Sequence, residues 1–200
     1  MPSQRNRILV ILGRKGSGKT TLSRALVRRM KRVVVLDPFE EYPVTWRARS
    51  FPELVQILEE EYQKPKFSIG CTYDDFEGYG DTLDLCREVG DLVVVIEELN
   101  LFIDCWTREE PFLNLVRVGR HHGVSIVLVA QRAAEIPKLF TSQSDAIVTF
   151  RQTEPRDLDY LSKIGHVGEA GSARVQELPL LHNRPADADE LRPYCAIFYA

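Results

Sequence analysis

Residues 7 to 20 read RILVILGRKGSGKT, and the order of apolar and glycine-bearing positions within them decides the fold. Ile8 to Leu12 is a short apolar run of the kind buried as a strand. Gly13 to Gly18 breaks it, and Lys19 to Met30 resumes with helix-compatible spacing. This is the G-x-x-x-x-G-K-T pattern in the strand–loop–helix setting that a P-loop requires. Its glycines let backbone N–H groups converge on a polyphosphate, and the N-terminus of the following helix adds a favourable field. The predicted phosphate cradle is Gly13, Arg14, Lys15, Gly16, Ser17, Gly18, Lys19, Thr20 and Thr21. Lys19 is expected to reach the β- and γ-phosphates, and the Thr20 hydroxyl to help hold Mg²⁺. The expected ligands are therefore ATP and Mg²⁺.

Working outward, a basic stretch Arg28-Arg29-Met30-Lys31-Arg32 precedes the apolar strand Val33 to Leu36. Those cations suit either a phosphate backbone or the C-terminal end of a helix. The strand runs into Asp37-Pro38-Phe39-Glu40-Glu41-Tyr42, where Asp37 either faces the nucleotide crevice of an α/β sheet or caps a turn. Residues 51 to 62 have helical periodicity, 66 to 69 suit a short strand, and 81 to 89 suit an amphipathic helix capped by Asp81 or Thr82. Between these, Asp74, Asp75 and Glu77 lack the full spacing of a calcium loop and read as solvated loop residues.

The second informative stretch is DLVVVIEELN, residues 91 to 100. Leu92 to Ile96 is a near-continuous apolar run of the sort buried on both faces of a parallel sheet. It delivers Glu97 and Glu98 at its end, which fits a Walker B element. The first acid supports hydrated Mg²⁺ and the second polarises the attacking water. Two acids closing a buried strand are costly unless they meet a cation or a partner. Residues 111 to 123 are helix-compatible with Gly123 as a stop, and they carry Arg117, Arg120, His121 and His122. Val124 to Ala130 is another buried strand, ending in Gln131-Arg132. Residues 135 to 143 form a turn or short helix, 145 to 150 a strand before Arg151, and 155 to 164 a helix. Gly165 to Gly171 reads as a glycine-rich linker. Residues 174 to 178 and 195 to 199 read as closing strands around a proline-bearing loop at 179 to 193.

The 200 residues carry 44 % hydrophobic side chains, enough for a sizeable core and against disorder. No apolar run approaches the ~20 residues of a membrane span. The start, MPSQRNR, does not resemble a cleaved signal peptide, so a soluble, cytoplasmic protein is expected. Net charge is −3, so nucleic-acid contact would depend on local basic patches. The four cysteines, Cys71, Cys86, Cys105 and Cys195, show no C-x-x-C spacing and read as buried or idle thiols. One domain over 1–200 is expected, with a core at about 7–165 and a closing segment at 166–200.

In order, GRKGSGKT, VVVLDPFEEY, VVVIEEL and GRHHGVSIVLVAQR followed by SDAIVTFR resemble the FtsK–HerA superfamily of ring-forming, DNA-pumping P-loop ATPases. The resemblance covers roughly residues 7 to 165. In that family the second strand often ends in an Asp-Pro-x-Gly-Glu-Tyr-like motif, and here Phe39-Glu40 stands where a glycine is frequent. The resemblance implies an α/β, RecA-like fold with a mainly parallel sheet and flanking helices. Within it, the Gln131 strand would lie between the P-loop strand and the Glu97–Glu98 strand, with Gln131 sensing the γ-phosphate. It also implies a homo-oligomeric ring in which a neighbour's arginine completes each site. Arg120 and Arg117 are the first candidates, with Arg151 and Arg132 behind them.

A bare core of this size looks like the genome-packaging ATPases of membrane-containing icosahedral viruses. The implied activity is ATP-driven translocation of double-stranded DNA, contacted without regard to sequence, with capsid or virion membrane proteins as further partners. Two other classes are compatible with the same P-loop. One is a small-molecule kinase, for which no acceptor-binding lid is evident. The other is an ATP-dependent phage assembly or extrusion protein, which typically carries a membrane segment.

Overall fold

The structure is a computed structural model that describes residues 7–103, 109–183, 185 and 187–200. Residues 1–6 and Cys105, which entered the sequence reading, lie outside the described residues. The chain runs β1 (Ile8–Leu12), α1 (Lys19–Arg29), β2 (Arg32–Leu36), β3 (Trp46–Ala48), α2 (Phe51–Glu61), β4 (Phe67–Cys71), α3 (Glu77–Val89) and β5 (Val93–Ile96). It continues with α4 (Glu110–Val118), β6 (Ser125–Ala130), α5 (Lys138–Ser142), β7 (Ala146–Phe150), α6 (Pro155–Ser162), α7 (Gly168–Glu177) and β8 (Cys195–Tyr199).

The strands form one eight-stranded sheet in the order β3-β4-β2-β5-β6-β1-β7-β8. Every pairing is parallel except β7 with β8, so the fold is α/β with a mainly parallel sheet. The Gln131-bearing strand β6 does lie between β1 and β5, as the resemblance implied. The Val/Ile/Leu runs of β1, β2, β5 and β6 are the interior strands because both of their faces are covered. Alternate side chains go to opposite layers. Ile11, Val33, Val35, Val95 and Val127 pack with Val27 of α1. Val10, Leu12, Val34, Val94 and Ile126 share a second core with α2 to α7. The parallel strands bring their C-terminal ends, and the loops that follow, to one edge. Ligands of open α/β sheets bind along that edge.

Three sequence expectations change. Residues 174 to 177 belong to the helix α7 and Leu178 caps it, so no strand lies there, and part of the expected linker is the helix's first turn. Gly171 lets that helix approach β8 closely, since a Cβ there would stand 2.8 Å from a Phe198 ring carbon. Helix α3 begins at Glu77, ahead of the expected cap, because Asp75 Oδ1 accepts from the Gly78 N–H at 2.7 Å and sets the turn earlier. The short edge strand β3 had no alternating pattern to announce it. Cys71 and Cys86 are buried, and burial pushes the Cys71 thiol up to about 12.

Candidate active site

The P-loop leaves β1 at Gly13, whose N–H is held by the Ala130 carbonyl of β6 at 3.2 Å. Two of its turns use left-handed backbone at Gly16 (φ 79°) and Gly18 (φ 101°), which glycine adopts without steric cost. Gly18 is also the N-cap of α1, with no side-chain cap and no acid in the first turn. The helix therefore presents its N–H groups and positive dipole end to an anion. The loop is packed from behind. A Cβ on Gly13 would meet Ser17 Oγ at 2.5 Å, and one on Gly18 would meet Leu191 Cδ2 at 2.6 Å. Leu191 and Leu181 come from the C-terminal segment, which sequence reasoning did not connect with the P-loop.

Lys19 is buried, and its Nζ donates to the Arg14 carbonyl at 3.3 Å. Burial lowers its pKa from the ordinary lysine value, opposed by the carboxylates of Glu98, Glu97 and Glu41. Ser17 Oγ is buried with no partner among the described residues. A buried ammonium and an unmatched hydroxyl in a cradle of backbone N–H groups are the donors a polyphosphate would satisfy. Arg14, Lys15 and Gly16 are exposed, while Thr20 and Thr21 are partly covered.

Glu97 and Glu98 are adjacent in sequence but face different partners. Glu97 is 1 % exposed. Its Oε1 accepts from Thr20 Oγ1 at 2.9 Å and its Oε2 from the Tyr42 hydroxyl. Tyr42 is itself buried and shares a 2.5 Å hydrogen bond with Ser23 Oγ of α1. Its phenol is held well above the ordinary tyrosine range, first by burial and then by Glu97. Glu98 turns away through a left-handed backbone (φ 55°, ψ 58°), and its Oε1 accepts from Gln131 Nε2 at 2.9 Å. The Gln131 N–H in turn donates to Asn100 Oδ1 at 3.1 Å. The hydroxyl of Thr20 beside a buried carboxylate is a hard-oxygen pair that fits Mg²⁺.

Asp37 resolves in favour of the turn. It is fully buried, accepts from the N–H groups of Glu41 (2.8 Å) and Tyr42 (3.0 Å), and pairs with Arg47 Nη1 at 2.9 Å. This clamp folds the Asp-Pro loop so that Tyr42 reaches Glu97. Glu40 sits at φ 55°, the left-handed region, where the resembling family often has glycine. Replacing Glu40 by Gly should therefore give a protein melting about 2–4 °C above the Glu40→Ala variant. Both variants lose the carboxylate, so the difference in melting temperature isolates the backbone. Equal melting temperatures would mean the position carries no strain.

Burial also pushes the Glu97 carboxyl up to about 7, against the pull of its Tyr42 and Thr20 donors. In the unfolded chain the same group titrates near 4.5. The folded state thus holds its proton longer. Its contribution is complete below the unfolded pKa and is lost as pH rises through about 7. Without nucleotide or divalent metal, stability should fall on the order of 3 kcal/mol across that window. Urea unfolding at a series of pH values checks this, and Glu97→Gln should flatten the decline.

The arginines are distributed differently from the carboxylates. Arg120 Nη2 donates to the Gln143 carbonyl at 2.9 Å and lies 3.5 Å from Asp145, whose Oδ2 accepts from the N–H of Ile8. That is the start of β1, roughly 13 Å along the strand from the P-loop at its other end. Arg117 pairs with Glu110 on the surface of α4 at 3.3 Å. Arg132 is bound to Asp157, Glu135 and Glu154. Arg151, just after β7, has its Nε buried without a partner among the described residues. The structure brings together Lys19, Thr20, Glu97, Glu98 and Gln131, and it leaves Arg117 and Arg120 away from them. Tyr42, Asn100 and Ser23 were missed as site residues.

The AAA domain family matches residues 3–140. No curated protein matches the sequence. Among solved structures, the genome packaging NTPase B204 from Sulfolobus turreted icosahedral virus 2, in complex with ATP-gammaS, is similar with a TM-score of 0.72 and 19 % identity over 98 % of each chain. VirB4 of Thermoanaerobacter pseudethanolicus has a TM-score of 0.62 at 12 % identity, over 88 % of this chain and 86 % of that one. The N-terminal domain of zonular occludens toxin from Neisseria meningitidis reaches 0.50 at 14 % identity, over 74 % and 78 %. At these identities the likeness is one of fold. No helix among the described residues is long and apolar enough to cross a membrane.

Proposed function

The chain belongs to the AAA domain family, and from that premise we propose that this ATPase moves double-stranded DNA as a homo-oligomeric ring, packaging a viral genome. The observation that carries the hydrolytic part is the Glu98–Gln131 hydrogen bond at the edge where the P-loop opens. A carboxylate oriented by an amide at that place suits activation of water. The packaging part is supported by the fold shared with the B204 packaging NTPase over nearly the whole of both chains.

Lys19 and the P-loop N–H groups bind the phosphates of ATP, and Thr20 and Glu97 hold Mg²⁺. When bound, the metal neutralises charge on the phosphates. Tyr42 and Thr20 fix the Glu97 carboxylate in place. Glu98 takes a proton from water as the water oxygen forms its bond to the γ-phosphorus, and the bond from that phosphorus to the bridging oxygen breaks to release ADP. Gln131 has two amide protons. One holds Glu98, and the other is available to a γ-phosphate oxygen, so the amide links phosphate occupancy to the position of the base. Arg120 and Arg117 lie away from their own P-loop, as a residue acting on a neighbouring subunit's phosphate must. An arginine in that role is worth several powers of ten in rate in other nucleotide hydrolases.

Steady-state phosphate release, with and without double-stranded DNA across a salt series, tests the reading. DNA should stimulate turnover whatever its sequence, and the stimulation should fade steeply as salt rises. Turnover indifferent to DNA at every salt concentration would remove the motor. A phosphorylated small acceptor in place of free phosphate would make the protein a kinase.

A further inference from the structure

The larger of two clefts described outside the nucleotide site carries several cations. It lies at the β7 end of the fold, between α5 and α6 and the turn that follows α6, and has a volume of about 910 Å³. Ile136, Pro137 and Ile164 give it apolar walls, and Lys138, Arg156 and Lys163 supply its cations. Asp159 is the acid in its lining and pairs with Lys163 at 2.6 Å. Lys138 and Arg156 enter no ion pair among the described residues. His166, also in the lining, has its Nε2 buried with no partner there. In a chain of net charge −3, this is a local cationic concavity over an apolar floor.

Its complement stands elsewhere on the same chain. Between β4 and α3 the chain reads Asp74-Asp75-Phe76-Glu77, with all four residues exposed and Asp81 exposed one turn further on. Phe76 is 61 % exposed, an unusual degree for an aromatic ring. It rests at 5.7 Å from Phe102 and 6.3 Å from Tyr79, ring centre to ring centre, and so projects on a firm base. The hydrogen bond from the Gly78 N–H to Asp75 fixes the turn that presents it. Helices α3, α5 and α6 all share the core on one face of the sheet. Along that face α4 packs against both α3 and α5, so knob and cleft are separate surfaces with α4 between them.

We propose that the acidic, aromatic knob at Asp74–Glu77 of one copy of this chain seats in the basic cleft of Lys138, Arg156 and Lys163 of the next copy. Phe76 fills the apolar floor, the carboxylates meet the cations, and His166 gains an acceptor or donor for its buried nitrogen. Knob and cleft are different surfaces, so the contact is head-to-tail, and it makes a ring when the rotation from copy to copy closes. The proposal rests on the homo-oligomeric part of the function proposed above and names the surfaces that form it.

Charge swapping tests it. Lys138→Glu with Arg156→Glu reverses the cleft, and Asp74→Lys with Glu77→Lys reverses the knob without touching the Asp75 turn. Sedimentation velocity with a non-hydrolysable ATP analogue, at low and high salt, reads the assembly. The wild-type protein should assemble most strongly at low salt, and each variant alone should associate at least about 100-fold more weakly. An equimolar mixture should recover assembly, since native knobs meet native cleft and reversed knobs meet reversed clefts. Unchanged ATP-analogue affinity in each variant shows that the fold is intact.

Variants that assemble like the wild type overturn this contact and leave the ring reading standing. A cleft variant that assembles normally but loses affinity for double-stranded DNA makes the cleft a DNA surface instead. Wild-type protein that stays monomeric with nucleotide and DNA removes ring and contact together, while phosphate release reports separately on the ATPase.

Discussion

Glu98→Gln should leave ATP bound at near its original strength while turnover falls roughly 10²- to 10⁴-fold, the range associated with losing a general base. Gln is nearly isosteric with Glu. Its side-chain carbonyl can still accept from Gln131 Nε2, the contact Glu98 makes at 2.9 Å. The left-handed backbone at this position imposes the same demand on either residue, so packing is unaffected. What changes is the capacity to take a proton from water. Binding of a fluorescent ATP analogue, alongside single-turnover phosphate release, separates the two effects. The neighbouring Glu97→Gln should behave differently, with weakened Mg²⁺-dependent nucleotide binding, because that carboxylate faces Thr20 and Tyr42 instead. If Glu98→Gln hydrolysed ATP at the wild-type rate, water activation would have to be reassigned to another group.

The contrast between these two acids also shows what sequence reading can reach. That both acids close a buried strand beside the P-loop was legible from the order apolar strand, acid, acid. Their geometry was not, because side chains of adjacent residues diverge here through a backbone turn that the letters do not reveal. The P-loop was legible for a similar reason, whereas the placement of β6 beside β1 was implied by the family resemblance and not by the residues themselves. The P-loop depends on one contiguous stretch whose apolar run and glycines have a single physical interpretation. Tyr42 was not legible. Its contact with Glu97 spans 55 positions and depends on a loop folded around Asp37.

The first turn of helix α7 reads as a linker because of its glycines and small residues, and its last turn reads as a strand. The value of those small residues is steric, in letting the helix lie against Phe198, and appears only once β8 is in place. The arginines were the least legible group. Long charged side chains find partners by proximity, and Arg132 spends its charge on three acids of its own chain.

Asp37→Ala is expected to destabilise the protein by about 3–5 kcal/mol, the penalty for stranding one partner of a buried ion pair. Among carboxylates, Arg47 would keep only its looser 3.9 Å pairing with Glu40, and the N–H groups of Glu41 and Tyr42 would lose their acceptor. Asp37→Asn should fall between, since an amide oxygen can still accept but carries no charge for Arg47. Urea unfolding of the metal-free, nucleotide-free protein measures this directly. The choice of condition separates the two roles that the sequence allowed for Asp37. A crevice carboxylate acting on metal would lower Mg²⁺ affinity when removed and leave the metal-free stability nearly unchanged. A clamp lowers the metal-free stability first. It then weakens Mg²⁺-dependent nucleotide binding only through Tyr42, which no longer reaches Glu97. The order of these losses, read on the same pair of variants, distinguishes a residue that builds the site from one that works in it.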